Sequence, residues 1–298
     1  MVICNKCKLL QLEQNFDAKE MYGDNYGYMS SLNRSMISHL QLKALNLKKK
    51  YKLINNKSIL DIGSNDGTFL SFFNKKLNLF GCDPTIKKFS KYYRKDIIKI
   101  SNFFSSNLFD KKKFDLITSI SMFYDLPDPQ LFAKEIFSIL KKNGIWHIEL
   151  SYMPMMVKNR SYDTICHEHL EYYSLHSLRY LLNRAGLKII NLSFNQINGG
   201  SIEVDIAKKK SKYNECKELI SWVLESEKLN KYIDPKRSGC IKKDNNEKYG
   251  YYLYVTDNRS KTFQNSVKNL VNTTIQIGDI NLDLKDVKFI KRGGNTHL

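Results

Sequence analysis

Two acids, two glycines and three small polar residues fall within the run Asp61-Ile62-Gly63-Ser64-Asn65-Asp66-Gly67-Thr68. An apolar stretch precedes it and a helix-like one follows, so it reads as a strand end, a tight turn and a helix start. Small residues there let backbone approach a ligand that a Cβ would block, and a helix start presents unpaired N–H groups. A phosphate cradle of the G-x-x-x-x-G-K-[ST] kind would carry a lysine. This turn has none, and its carboxylates suit a cationic or amine-bearing ligand. That chemistry favours S-adenosylmethionine over ATP. Asp83, 22 residues beyond Asp61 and followed by Pro84, ends the next strand, where a carboxylate can grip a ribose diol.

A second run, Asp163-Thr164-Ile165-Cys166-His167-Glu168-His169, places a glutamate between two histidines. An imidazole titrating near neutrality can take a proton from carbon or oxygen, and a neighbouring carboxylate can orient it. In an extended segment His167 and His169 would share a face and could ligate a metal, but no further His or Cys stands at ligand spacing. A third run, Asn198-Gly199-Gly200-Ser201, reads either as a hairpin turn or as a close approach of backbone to a ligand. Cys4-x-x-Cys7 is half of a zinc knuckle, two of the four ligands structural zinc takes.

These residues need elements to hold them. Apolar positions recur at helical spacing over 32–50. Strands are predicted at 57–63, 78–83, 97–101, 114–121 and 144–151, alternating with helices at 67–76, 85–94 and 130–142. Such alternation gives a mainly parallel sheet with helices on both faces, and ligands sit beyond the carboxyl ends of its strands. Asp61 to Gly67, Asp83-Pro84, Ser121 to Asp128 and Glu149 to Pro154 all fall there. A helix near 175–185 and two strands at 187–194 and 201–207, able to pair antiparallel, complete the pattern. Helical patterns at 211–229 and 245–272 follow. The chain thus divides into an N-terminal segment with a linker helix (1–50), a cofactor-binding α/β domain (51–210) and a mostly helical C-terminal extension (211–298).

With 298 residues and 42% hydrophobic content the chain can bury a large core. No apolar run approaches the roughly 18–20 residues that span a bilayer, no signal peptide is evident, and six cysteines form no disulfide framework. A reduced, cytoplasmic setting follows, with no membrane partner. The net charge of +18 is spread over scattered lysines rather than a stripe. It reads as a solvated basic surface, attractive to small anions such as nucleotide-sugars and less suited to nucleic acid.

Taken in order, these runs resemble the S-adenosylmethionine-dependent sugar C-methyltransferases that act on nucleotide-linked keto-sugars. The matching residues are Cys4-x-x-Cys7 with Leu9-Leu10-Gln11, Tyr26-Gly27-Tyr28-Met29-Ser30-Ser31, Asp61 to Gly67, Gly81-Cys82-Asp83-Pro84, Glu149 with Tyr152 and Pro154, Asp163-Thr164 with His167-Glu168-His169, and Asn198 to Ser201. The resemblance implies a class I methyltransferase, Rossmann-like fold. Asp61, Gly63, Ser64, Asn65, Asp66, Gly67, Asp83, Pro84 and Ser121 would hold S-adenosylmethionine. His169 would be the general base with Glu168 beside it. Tyr26 and Tyr28 would line the site from an N-terminal zinc lobe. His167, Glu149, Asn198, Gly199 and Gly200 would meet the sugar, which implies a role in polysaccharide biosynthesis.

The chain departs from that family in three places. Cys166 stands where those enzymes carry a tyrosine, which brings sugar O-methylation forward as an alternative. The first Cys pair of the zinc lobe is missing, leaving Cys4 and Cys7 an incomplete metal site. The C-terminal region lacks a Gly-rich second nucleotide-binding signature, so the chain reads as shortened at both ends. The same residues also accommodate an RNA or protein methyltransferase, or a non-catalytic remnant of a longer enzyme.

Overall fold

The computed structural model describes residues 1–13, 17–23 and 26–230, and six short strands beyond them. In chain order the elements are β1 (Val2–Ile3), β2 (Leu10–Gln11), α1 (Ala18–Met21), α2 (Arg34–Lys50), β3 (Ser58–Ile62), α3 (Thr68–Ser71), β4 (Asn78–Cys82), α4 (Ile86–Phe89), β5 (Ile97–Ile100) and β6 (Phe114–Ile120). They continue with α5 (Pro129–Ile139), β7 (Leu140–Ser151), α6 (Met153–Asn159), β8 (Glu171–Tyr172), α7 (Leu175–Arg184), β9 (Leu187–Asn195), β10 (Ser201–Lys208) and α8 (Lys217–Leu229).

Seven strands form one sheet in the order β5-β4-β3-β6-β7-β10-β9. The pairs β5-β4, β4-β3, β3-β6 and β6-β7 are parallel, while β10 runs antiparallel to both β7 and β9. This is the class I methyltransferase fold. β3 lies inside the sheet and every one of its residues is buried, as a strand covered on both faces must be. On one side Phe123 makes edge contacts with Phe132 of α5 and Trp146 of β7. A separate small sheet, β1-β2-β8, joins the N-terminus to the segment after His169.

Local chemistry sets several boundaries away from the predicted ones. The helix expected over 67–76 is confined to Thr68–Ser71, because the Asn74 side chain accepts the Lys76 N–H in a tight turn that competes with helix. The helix expected over 85–94 breaks into α4 and a 3-10 turn, Ser90–Tyr92, before Tyr93 turns extended. Asp128 caps α5 through the Leu131 N–H and Pro129 opens it, but Leu140 is already extended and starts β7 four residues early. Of the helix expected over 245–272, Tyr251–Thr256 is a strand, as its aromatic and β-branched residues favour, and the rest lies outside the described residues.

The register between β7 and β10 has an electrostatic effect. Glu149 pairs with Glu203 and His147 with Asp205, so four ionisable groups come together at neighbouring positions of the two strands. α2 covers them with its own polar residues, set among the apolar positions Leu40, Ala44 and Leu47. The Lys43 ammonium lies 2.5 Å from Glu149, 2.9 Å from Glu203 and 3.4 Å from His147 Nε2, one acceptor for each of its three N–H bonds. His147 Nδ1 in turn donates to Asp205 at 2.7 Å, and Lys50 and Tyr51 close the chain on the same carboxylate. His39 adds contacts of 3.0 and 2.9 Å to the two oxygens of Glu149. Against the cost of burial, His39 and Lys43 hold the Glu149 carboxyl down at about 2.

Lys43→Met should therefore cost about 3–5 kcal/mol in urea unfolding near neutral pH, since it strands a buried carboxylate. Glu149 is depressed on folding, so the stability from its pairing is present above its ordinary value of 4.5 and lost as pH falls toward about 2. The gap between wild type and variant should shrink across that window; an unchanged gap would contradict the assignment.

Candidate functional site

At the carboxyl end of β3 the Asp61 side chain is buried and accepts one short hydrogen bond, from Thr118 Oγ1 at 2.6 Å. Burial pushes its carboxyl up to about 7, with Asp83 contributing. A carboxyl placed this way gains from a neighbouring cation. The turn beyond it is left-handed at Gly63 (φ +74°), where a Cβ would stand 2.9 Å from Met122, and at Asn65 (φ +50°). Asp83 accepts the Asn65 N–H at 2.9 Å and the Thr85 N–H at 2.7 Å, which locks the first turn to the second; half-buried Pro84 lies between Asp83 and Thr85.

Tyr93, which the sequence did not single out, explains two of the glycines. Its ring would stand 2.8 Å from a Cβ at Gly67 and 3.0 Å from one at Gly81. Its hydroxyl receives the Ser64 hydroxyl and donates to the Asn65 carbonyl. The Tyr93 ring thus fills the space that a side chain at Gly67 would need.

Asn65 and Asp66 also hold the N-terminal segment. Asn65 donates to the Tyr28 carbonyl and accepts the Ser30 N–H, and Asp66 accepts the Ser31 N–H, all at 3.0 Å. Residues 28–31 therefore form a strap across the turn. Tyr28 reaches it through its backbone, its side chain being largely exposed. The Tyr26 phenol is pushed above its ordinary range by burial and by Asp125, Asp83 and Glu168 around it. It is close enough to Asp83 on one side and to Asp125 and Glu168 on the other to feel all three charges.

The His-Glu-His loop is fixed at its C-terminal flank by both backbone groups of Leu170. The Leu170 N–H donates to the Tyr124 carbonyl and the Leu170 carbonyl accepts the Leu12 N–H, both at 2.8 Å. The 167–168 segment is a turn rather than extended, so His167 is exposed while Glu168 and His169 are half-buried. His169 Nδ1 lies 2.6 Å from the Thr164 carbonyl, which can only accept. Nδ1 therefore carries the hydrogen, and in the neutral ring Nε2 keeps its lone pair. The ring packs edge-on against Tyr124 with centroids 4.6 Å apart. Asp125, another residue the sequence did not mark, faces His169 and is pushed up to about 8 by burial.

The remaining candidates divide. Ser121 sits at the end of β6 in the left-handed region (φ +53°), its N–H donating to the Glu149 carbonyl and its hydroxyl near Asn198 Nδ2 at 3.4 Å. Glu149 itself is fully buried in contacts with His39, Lys43 and Asn195, which withdraws its carboxylate from an acceptor sugar. Asn198, Gly199 and Gly200 all have positive φ, and a Cβ would stand 2.5 Å from Ser161 at Gly199 and 2.7 Å from Met155 at Gly200. That Gly pair is required by close packing of the β9–β10 connection on α6 and the loop after it.

Two clusters bear on metals. Ligand atoms of His39, Glu149 and Glu203 lie within 4.8 Å of one another, but the Lys43 ammonium already occupies the cation position between the two glutamates. Cys4 and Cys7 are free thiols on one turn, closed by Lys8 N–H to the Cys4 carbonyl at 2.9 Å. Among the described residues neither joins a third His, Cys, Asp or Glu at ligand distance.

The buried, cation-seeking Asp61, the glycine turn at 63 and the carboxylate of Asp83 at the next strand end fit S-adenosylmethionine, with its sulfonium, its amino group and its ribose. Fold and site together define an S-adenosylmethionine-dependent methyltransferase. The model of the methyltransferase domain family matches residues 33–192, more than half of the chain, and the chain belongs to that family. It is 25% identical over 210 residues to the C-methyltransferase NovU of Streptomyces niveus, covering 68% of this chain and 50% of that protein. It is 26% identical over 208 residues to the tRNA U34 carboxymethyltransferase of Campylobacter jejuni, covering 64% of each. The chain thus spans about half the length of the first relative and less than two thirds of the second. Among solved structures, the magnesium protoporphyrin IX methyltransferase of Synechocystis PCC 6803 with bound SAH superposes with a TM-score of 0.47 at 10% identity, over 64% of this chain and 92% of that one. Among the described residues no helix is long and apolar enough to cross a membrane.

Because Asp61 must be ionised to attract a cation, affinity for S-adenosylmethionine should weaken as pH falls below about 7. The loss should approach about tenfold per pH unit. Calorimetry on Asp61→Asn should give weaker binding without that slope; an identical slope would remove Asp61 from the cofactor contact.

Proposed function

We propose that the protein methylates the carbon beside the ketone of a nucleotide-linked sugar, with His169 as general base. One observation carries this reading most directly. The Thr164 carbonyl fixes the His169 tautomer, so that Nε2 keeps its lone pair in the neutral ring, and that ring packs on Tyr124, just beyond the carboxyl end of β6, the strand next to β3 with Asp61. The distant similarity to a C-methyltransferase supports it, and the +18 charge favours an anionic nucleotide substrate.

When bound, S-adenosylmethionine supplies an electrophilic methyl group. His169 Nε2 takes the proton that the neighbouring ketone acidifies. Half-buried Glu168 precedes the base in the same loop. The strap at residues 28–31 closes over the cofactor turn and, with Tyr26, limits access of water. Holding base and acceptor together supplies much of the acceleration.

A labelled-methyl assay against nucleotide-linked sugars with and without a 4-keto group tests this reading. Methyl transfer should occur only to keto-sugars, and His169→Ala should lower it by about 10²–10⁴-fold with cofactor affinity unchanged. Transfer to sugars lacking the ketone would instead favour O-methylation, and full activity of the variant would exclude His169.

The similarity to a tRNA-modifying enzyme, with the basic charge, supports a second reading, a nucleic-acid acceptor. It requires tRNA binding that falls steeply as salt rises; a flat response would count against it.

A further inference from the structure

Asp125 has no part in the mechanism above, yet like Glu171 it is an under-paired carboxyl near the site. It ends the 3-10 turn Phe123–Asp125 that follows β6. Its Oδ1 is buried and has no hydrogen-bond partner among the described residues. The Tyr22 phenol lies near enough to act on the carboxyl, and the ring contact of Tyr124 with His169 brings the base to the same place. A buried polar atom left unpaired is costly, and such atoms persist where a ligand supplies the partner.

Its surroundings decide its protonation. From the N-terminal segment come the Tyr22 and Tyr26 phenols, and from the loop after α6 come Cys166, Glu168 and His169. From β8 comes Glu171, itself pushed up to about 9 by burial and by Asp125 and Asp128. Burial raises the carboxyl most, Cys166 and Glu168 add to it, and His169 and the Tyr22 hydroxyl only partly oppose them, leaving it at about 8. Asp125 is thus a protonated donor near neutrality, with no acceptor for its Oδ1 among the described residues.

We propose that Asp125 is a catalytic acid, its protonated carboxyl donating to the ketone oxygen of the acceptor while His169 takes the neighbouring carbon-bound proton. The proposal rests on the keto-sugar reading. As His169 Nε2 removes the proton, the C–H electron pair forms the carbon–carbon double bond and the carbonyl pair moves to oxygen, which takes the Asp125 proton. The enol carbon then bonds to the methyl group, and the carbon–sulfur pair stays with sulfur. The ketone reforms as the enol proton returns to Asp125, and His169 releases its proton to water. Net, one methyl group is gained and one proton released.

Two measurements test it. In carbon-13 NMR of aspartate-labelled protein, one carboxyl should titrate near pH 8 and vanish in Asp125→Asn; an Asp125 signal already ionised at neutral pH would overturn the proposal. With S-adenosylhomocysteine bound, deuterium wash-in beside the ketone of a nucleoside-diphosphate 4-keto-sugar should slow above about pH 8 in the wild type. Asp125→Asn, which keeps an N–H donor, should retain part of the rate without that alkaline loss. Asp125→Ala should lose about 10²–10³-fold while keeping its affinity for S-adenosylhomocysteine. An alkaline loss unchanged in Asp125→Asn, or full exchange in Asp125→Ala, would overturn the acid's role. A titrating Asp125 with no exchange or methyl transfer in the wild type would overturn the keto-sugar reading, and the acid's role with it.

Discussion

The architecture depends on one buried ammonium. The β7–β10 register brings Glu149 beside Glu203 and His147 beside Asp205, and Lys43 supplies the central positive charge that lets these groups share one interface. Such a cluster is weak evidence for net stability, because burying each ion is costly, but it is unforgiving of a missing partner. It therefore specifies how α2 lies on the sheet. The N-cap of α2 is Asn33, two residues after the strap that bonds Asn65 and Asp66. Correct seating of the helix thus delivers the N-terminal segment to the cofactor turn.

The carboxyls of this end of the sheet have been driven in opposite directions. Glu149, paired with His39 and Lys43, is held near 2, whereas burial raises the carboxyls of Asp61 and of half-buried Asp125, each with few partners, to about 7 and about 8. The paired acid serves the framework. The under-paired acids, one with a single side-chain donor and one with an unpaired Oδ1, are left with contacts that a ligand can complete. Separation of pKa values by environment is how one fold assigns different tasks to chemically similar groups.

Much of the framework was legible in the sequence because the central strands are continuous apolar runs and the turn at 61–67 is built from small residues. The antiparallel pairing of β9 and β10 was legible too. Lys43 was not, because lysine at a helical position reads as solvated surface, and only the partner strand's register reveals three acceptors waiting for it. Asp125 was hidden for a similar reason: its significance is an unpaired oxygen, a property of burial rather than of spacing. Gly199 and Gly200 were visible, but whether a glycine makes room for a ligand or for Ser161 and Met155 is decided by tertiary contact. The short helices failed for local reasons, such as the Asn74 turn that outcompetes helical hydrogen bonding.

Asp61 and Asp83 on one side, and His169 with Asp125 on the other, act as one site only if the reactive methyl group points between them. A crystal structure of the complex with S-adenosylhomocysteine and a nucleoside-diphosphate 4-keto-sugar measures this directly. The carbon beside the ketone should lie about 3–3.5 Å from the sulfur-bound methyl position and within hydrogen-bond reach of His169 Nε2. A sulfur turned away from His169, with protein packed between the two, would contradict it.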